Sequence, residues 1–399
     1  MKRLRLIRLA LVTSALAACD IAVLDPITRP KGEAPKGDDD PSAPSDPPPY
    51  IDKDAGPPPP DVDAGPLTSN PACSPSGQDP NEIVIACGLS PDTVIVAVSP
   101  RHIATIEFHG KHLRRIDRVT KQIDTIAHAN TDAPDSLMAW GEGSFTFSES
   151  LDRLAFTDAF PAAVGARSID LTSGAITTLT NSGVGSTLTS VGTDVFFNAA
   201  SGRDIVRVPF LGGAVVAVAE GERAIGTTGP WTYYLHYVFE DRATALSRVR
   251  VGSGVRQEIA RNITRWNDKA VVLDSNGGAY FVQRGTLEEP WRMLHVGPDH
   301  PNPETIFSCW DVDHCGDHPA WVKLHRGHVF ASGRIGSYVT YGRAKEFGLM
   351  GFVTLLGRRG WGSVWFEGDY MFEAYVRGGD GVVPSEGVVS ARPLPPLFP

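Results

Sequence analysis

The segment Cys309-Trp310-Asp311-Val312-Asp313-His314-Cys315-Gly316-Asp317-His318 is the richest stretch of the chain in ligand-type side chains, and His295, His300, His325 and His328 flank it. Two thiolates and two imidazoles suit a tetrahedral zinc ion. A second reading is calcium. Asp311, Asp313 and Gly316 partly follow the spacing of a calcium loop, with Asp317 and His318 beside them. The imitation is incomplete, because Cys315 takes the fifth loop position and Val322 the twelfth, where a bidentate Glu is needed. A third reading joins Cys309 to Cys315 in a disulfide and removes both thiolates. The redox compartment decides among the three.

The start of the chain speaks to that compartment. Lys2, Arg3, Arg5 and Arg8 precede an apolar run from Leu9 to Leu16. The run is too short to span about 30 Å of hydrocarbon as a stable helix. Small Ala17 and Ala18 then lead to Cys19. Charge, apolar run and small residues in that order make a secretory signal. Leu16-Ala17-Ala18-Cys19 resembles the lipobox of bacterial lipoproteins. The resemblance implies that residues 1–18 are removed and that Cys19 carries lipid. Two or more acyl chains anchor a protein stably, where one binds only marginally. The implied location is the outer membrane or the periplasmic face of the inner membrane. Asp20 resembles an inner-membrane retention signal. No later segment has eighteen uninterrupted apolar residues, so lipid is the only expected membrane anchor.

Of the five cysteines, Cys19 is spent on lipid. Cys73, Cys87, Cys309 and Cys315 remain, an even number in an exported chain, which predicts two disulfides. Proximity favours Cys73–Cys87 and Cys309–Cys315, with the two other pairings open. Closing a loop of about 15 residues stabilises by roughly 3 kcal/mol in the chain-entropy treatment. A disulfide at 309 and 315 disfavours zinc. Calcium stays as the alternative, and otherwise no cofactor is expected.

Residues 19–72 read as a lipidated, disordered tether. Asp38-Asp39-Asp40-Pro41, Pro47-Pro48-Pro49 and Pro57-Pro58-Pro59-Pro60 typify its composition. Such a segment buries too little apolar surface to offset chain entropy. Its prolines favour an extended form reaching on the order of 100 Å. Residues 73–399 read as one globular domain. The net charge of −9 argues against nucleic acid as a partner.

In that domain short apolar runs alternate with Gly, Asn, Asp and Ser turns, and no long stretch has a helical period. This is an all-β pattern. Leu171, Phe210 and Val251 recur about 40 residues apart, each ahead of a glycine turn and each after another apolar run. A period of about 40 with several strands is the signature of a β-propeller. Val195-Phe196-Phe197-Asn198 followed by Ile205 to Gly213 resembles the repeats of YWTD-like and NHL-like propellers. Blades fall at 93–128, 136–180, 186–220, 224–260, 268–297, 319–356 and 364–389. Seven blades are expected, with six as the alternative. Val94 to Val98 is expected to close the ring or lie beside the closing strand, with Cys87 pinning it.

Trp231, Tyr233, Tyr234, Trp361, Trp365, Phe366 and Tyr370 could line a sugar- or peptide-binding face or pack between blades. Trp231, Tyr233, Trp361 and Trp365 are the binding candidates. His102, His109 and His112 surround a strand turn. There is no Gly-x-Ser-x-Gly elbow, His-Glu-x-x-His, phosphate loop or dinucleotide fingerprint. Asp158, Asn198, Glu240 and Asp274 near strand ends could point into a central channel, as in metal-dependent lactonase-like propellers. The resulting expectation is a monomeric, lipid-anchored binding or scaffold propeller at the cell envelope, with a protein or polysaccharide partner. The alternative is a metal-dependent propeller hydrolase there.

Overall fold

The computed structural model describes residues 66–74, 80–107, 111–128, 145–157, 165–181, 184, 188–263, 270–285, 291–308, 321–332, 338–343, 353–356, 364–378 and 385–394. Apart from one 3-10 turn, Glu149–Leu151, every element among them is a strand. None is a helix long and apolar enough to cross a membrane.

The strands form seven four-stranded antiparallel sheets. After β1 (Ile83–Leu89), blade 1 holds β2 (Val94–Val98), β3 (His102–Glu107), β4 (His112–Asp117) and β5 (Ile123–His128). Blade 2 holds β6 (Phe145–Ser148), β7 (Arg153–Thr157), β8 (Ala166–Asp170) and β9 (Ile176–Thr180). Blade 3 holds β10 (Thr189–Val191), β11 (Asp194–Asn198), β12 (Asp204–Pro209) and β13 (Val216–Glu220). Blade 4 holds β14 (Arg223–Thr228), β15 (Trp231–Val238), β16 (Ala243–Arg250) and β17 (Arg256–Ala260). Blade 5 holds β18 (Val271–Leu273), β19 (Ala279–Gln283), β20 (Arg292–Val296) and β21 (Glu304–Ser308). Blade 6 holds β22 (Val322–His325), β23 (His328–Ser332), β24 (Tyr338–Arg343) and β25 (Val353–Leu356). Blade 7 holds β26 (Trp365–Glu367), β27 (Tyr370–Arg377) and β28 (Glu386–Pro393), with β1 added outside β28.

Seven apolar clusters fill the seven seams between neighbouring blades, so the ring closes. This is a seven-bladed β-propeller. Alternation along each strand supplies both seams. Val195 and Phe197 face blade 2, while Phe196 between them faces blade 4. Tyr233 and Leu235 face blade 5, while Tyr234 faces blade 3. A strand buried on both faces must read as a continuous apolar run, which is why these segments stand out in the sequence.

One expectation is narrowed and another needs correction. The closing strand is Ile83–Leu89, with Val84 opposite Ser390 and Ala86 opposite Val389. Val94–Val98 is the first strand of blade 1 and packs beside the closing strand, the other position expected for it. Blade 5 runs on past residue 297 to include Glu304–Ser308, paired with β20. The intervening Gly297-Pro298-Asp299-His300-Pro301-Asn302-Pro303 is long and proline-rich, so it hides that hairpin.

Closure is reinforced from outside. Cys73 and Cys87 are disulfide-bonded, with Cα atoms 5.9 Å apart. Leu67 packs on the seam of blades 7 and 1. Asn70 donates its N–H to the Val84 carbonyl at 2.7 Å, and the Arg377 guanidinium donates to the Ser74 carbonyl. Residues 66–74 thus cover the outer edge of β1, where an open ladder would invite aggregation.

Candidate functional site

In five blades the residue after the third strand folds back onto the first hairpin. Arg118, Leu171, Phe210, Val251 and Leu394 donate backbone N–H to the carbonyls of Arg101, Asp152, Thr193, Pro230 and Asp369 at 2.8–2.9 Å. In blade 5 the residue after the third strand is Gly297. Three residues earlier, in blades 1, 2 and 4, stands a polar side chain that reaches the next blade. Arg115 donates to the Leu171 and Thr172 carbonyls at 2.8 and 2.9 Å. Ser168 Oγ donates to the Phe210 carbonyl. Arg248 donates to the Gly297 carbonyl at 2.8 Å, next to Pro298. Arg207 departs from the pattern and turns to Asp194 of its own blade at 3.4 Å. The repeat that the sequence displays is therefore a chain of blade-to-blade staples.

Arg248 is the most buried arginine of these, only 1% exposed. It also donates to Tyr233 Oη at 3.1 Å and Gln257 Oε1 at 2.9 Å. Its guanidinium lies 4.1 Å from the centre of the Trp231 ring. Trp231 Nε1 donates to the Pro298 carbonyl at 2.9 Å, and Tyr233 Oη donates to the Gly277 carbonyl at 3.0 Å. Burial pushes the Tyr233 phenol above its ordinary pKa, against the pull of Arg248.

The same face carries a charged group around blades 6, 7, 1 and 2. Arg118 pairs with Glu367 and donates to the Ser99 carbonyl. His102 donates from Nδ1 to Asp152 Oδ2 at 3.0 Å, with Asp117 Oδ2 at 4.0 Å from Nε2. Glu149 follows β6, and burial raises its pKa, helped by the negative charge of Glu367 and opposed by Arg326. Arg326 pairs with Asp369 of blade 7. Arg118–Glu367 and Arg326–Asp369 are opposite-charge pairs, and the group ties four blades together. Among the described residues, no three His, Cys, Asp or Glu side chains are grouped to hold a metal ion.

The sequence candidates fare unevenly. Trp231 and Tyr233 are buried in the seam of blades 4 and 5, and Trp231 spends its ring face on Arg248, so neither offers a surface. Trp365 is partly buried. It donates to the Ile95 carbonyl at 2.9 Å, and Lys323 Nζ lies 3.6 Å from its ring centre. Asn198 holds the Gly221 carbonyl and the Ala224 N–H at 2.7 and 2.9 Å. Asp274 binds His295 at 2.9 Å and the N–H groups of Asn276 and Gly278 at 2.8 Å. A channel site shared by Asn198, Glu240 and Asp274 is corrected by topology. Asn198 and Glu240 follow second strands of their blades, and Asp274 follows a first strand, so antiparallel pairing puts them at opposite ends of the ring. Cys19, His109, Asp158, Cys309, Asp311, Asp313, Cys315, Asp317, His318 and Trp361 lie outside the described residues.

One feature escaped sequence reasoning. Ile176, Leu211, Val215, Val216, Val251 and Val255 are exposed, Leu211 to 64% and Val251 to 51%. All six sit at the hairpin between third and fourth strands of blades 2, 3 and 4. Gly212 rests against blade 2, and a Cβ there would lie 3.1 Å from Thr177 Cγ2. Its φ of +85° also favours glycine. Leu211 and Ile176 thus sit on hairpins of neighbouring blades. The runs Leu171 to Ile176 and Phe210 to Ala219 contain no charged residue, which was the available signal.

No family model matches the chain, and no curated protein matches it. Among solved structures, it is similar to TolB from Acinetobacter baumannii at 16% identity and a TM-score of 0.37, covering 56% of this chain and 53% of that one, about half its length. It is similar to a chain of the nidogen/laminin complex at 13% identity and a TM-score of 0.42, covering 63% and 94%. It is similar to oligogalacturonate lyase from Vibrio parahaemolyticus at 11% identity and a TM-score of 0.40, covering 62% and 74%. Likeness at this level assigns no function, and the propeller assignment rests on the seven sheets themselves.

Proposed function

We propose that this chain is a lipid-anchored propeller of the cell envelope that binds an apolar surface of another envelope protein. The observation that carries the reading is the aliphatic rim of Ile176, Leu211, Val215, Val216, Val251 and Val255 across three consecutive blades. Contiguous exposed apolar side chains on a soluble domain mark protein contact sites. The rim is built on hairpins, and hairpins on a rigid scaffold are where recognition resides. Its side chains are aliphatic, whereas the aromatic faces that would suit a sugar, Trp231 and Tyr233, are inside. This favours protein over polysaccharide. The leader ending in Cys19 and the Cys73–Cys87 bond support an exported setting.

The test is photo-crosslinking in intact cells, with a photoreactive residue at Leu211 or Val251 and a control at Arg242 on another hairpin. One dominant protein adduct is expected from the rim and none from Arg242. Leu211→Asp should abolish the adduct at 251 while leaving the melting temperature unchanged. Equal labelling from all three positions, or an adduct insensitive to Leu211→Asp, would refute the rim as the binding surface.

A further inference from the structure

Blade 1 brings together two imidazoles that are 16 residues apart in sequence. His112 begins β4 and His128 ends β5, and the two are direct partners across the ladder. Direct partners project from the same face of a sheet. Their ring centres are 4.8 Å apart with planes at 74°. Two imidazoles bound tetrahedrally to one ion, each with a metal–nitrogen distance of about 2.0–2.1 Å, place their ring centres about 5 Å apart. The observed spacing of the ring centres is close to that value.

We propose that His112 and His128 form a two-imidazole site for a divalent transition-metal cation, with water in the remaining positions. His128 is exposed and His112 half-buried, so solvent and ions reach the pair. Only the neutral ring is a ligand, and the surroundings favour that form at His112. Burial lowers its pKa, and the neighbouring His128, Arg114 and Lys111 lower it further. Imidazole donors select zinc, copper or nickel over magnesium or calcium. Glu107 is His112's partner on the other side, but its buried carboxylate is held by Arg114, 3.4 Å away. The site therefore has two protein ligands and open coordination positions.

The experiment is isothermal titration calorimetry of Ni²⁺ into the full chain carrying no histidine tag, with Mg²⁺ as the control ion. One equivalent of Ni²⁺ should bind with micromolar affinity, and Mg²⁺ should not bind there. His112→Asn and His128→Asn should each weaken Ni²⁺ binding at least tenfold. The double variant should show no Ni²⁺ binding at this site, because no imidazole remains. His128 is at an exposed strand end, so His128→Asn tests the site even where His112→Asn disturbs folding. Binding unchanged in His128→Asn, or stoichiometric Mg²⁺ binding lost with it, would overturn the proposal.

Discussion

Arg248 and Arg207 occupy the same place in consecutive blades, and the structure gives them opposite importance. Replacing Arg248 by Met preserves much of the side-chain volume and removes every donor. The Gly297 carbonyl and Gln257 Oε1 each lose the guanidinium bond, and Trp231 loses the cation above its ring. A buried acceptor left without its donor costs about 1–3 kcal/mol. Losing a desolvated cation–π contact costs about 2 kcal/mol. Removing the buried charge returns part of this, because the guanidinium no longer has to be desolvated. The net expectation is about 3 kcal/mol. Arg207 is 38% exposed in its side chain and makes one 3.4 Å contact with Asp194. An exposed pair of that kind is worth about 0–1 kcal/mol, so Arg207→Met should be nearly silent.

Urea unfolding followed by both tryptophan fluorescence and far-ultraviolet circular dichroism reads this directly. Coincident transitions license a free-energy comparison. Trp231 lies under Arg248, so Arg248→Met should also shift the emission of the folded protein. If Arg248→Met costs under about 1 kcal/mol, or Arg207→Met costs as much as Arg248→Met, the staples do not hold the ring in the way described.

Cys73→Ser with Cys87→Ser should lower stability by roughly 3 kcal/mol, and an unmoved midpoint would show that the strap is held by its other contacts. Removing residues 20–65 should leave the melting temperature unaltered, whereas removing 20–93 takes away β1 and should give aggregation by light scattering. A monomeric product of the longer deletion with native melting would refute closure by Ile83–Leu89. Asp170 sits below the ordinary Asp range. Burial works against this, but the N–H and hydroxyl of Ser173 and the charge of Arg153 outweigh it. A depressed folded pKa supplies stability above the unfolded value of about 4 that is lost as pH falls through the folded one. Asp170→Asn should therefore destabilise at pH 7, and its difference from wild type should fade as pH falls through the folded pKa of Asp170. A difference that stays constant down to pH 2.5 would assign its effect to packing.

The fold was legible because the interior is built from strands buried on both sides. Val195-Phe196-Phe197 and Trp231 to Leu235 can be read as central strands from their apolar continuity alone. The repeat of Leu171, Phe210 and Val251 was legible because a common backbone bond fixes all three. Their environments were not legible, since Leu171 and Phe210 are fully buried and Val251 is half-exposed. The polar residues three places earlier carried as clear a signal, but a lone Arg or Ser acquires meaning only once the next blade's carbonyls are in place. Closure depends on pairing Val84 with Ser390, some three hundred residues away, and no local pattern distinguishes Ile83–Leu89 from Val94–Val98 as the strand that does it. His128 was missed for the same reason, because its partnership with His112 exists only across a ladder.

The staples and the exposed aliphatic residues belong to the same hairpins, and on the proposed reading this links stability to recognition. The carbonyls of Leu171 and Phe210 are pinned from the preceding blade by Arg115 and Ser168, and their N–H groups by the first hairpin of their own blade. Both hydrogen-bonding groups of the corner residue face inward. The residues that follow, Leu211 after Phe210 and Ile176 a few positions after Leu171, are left facing solvent on a backbone that cannot relax. An exposed aliphatic side chain on a free loop would turn inward or lose its order. Held on a stapled corner, it stays presented, and a partner meets a surface that needs little further ordering. Binding to a preorganised surface avoids part of the entropic cost of association. Loosening a staple should therefore weaken partner binding before it unfolds the ring. Ser168→Ala, which frees the Phe210 carbonyl beneath Leu211 and leaves every rim side chain unchanged, is the variant in which that order would be seen.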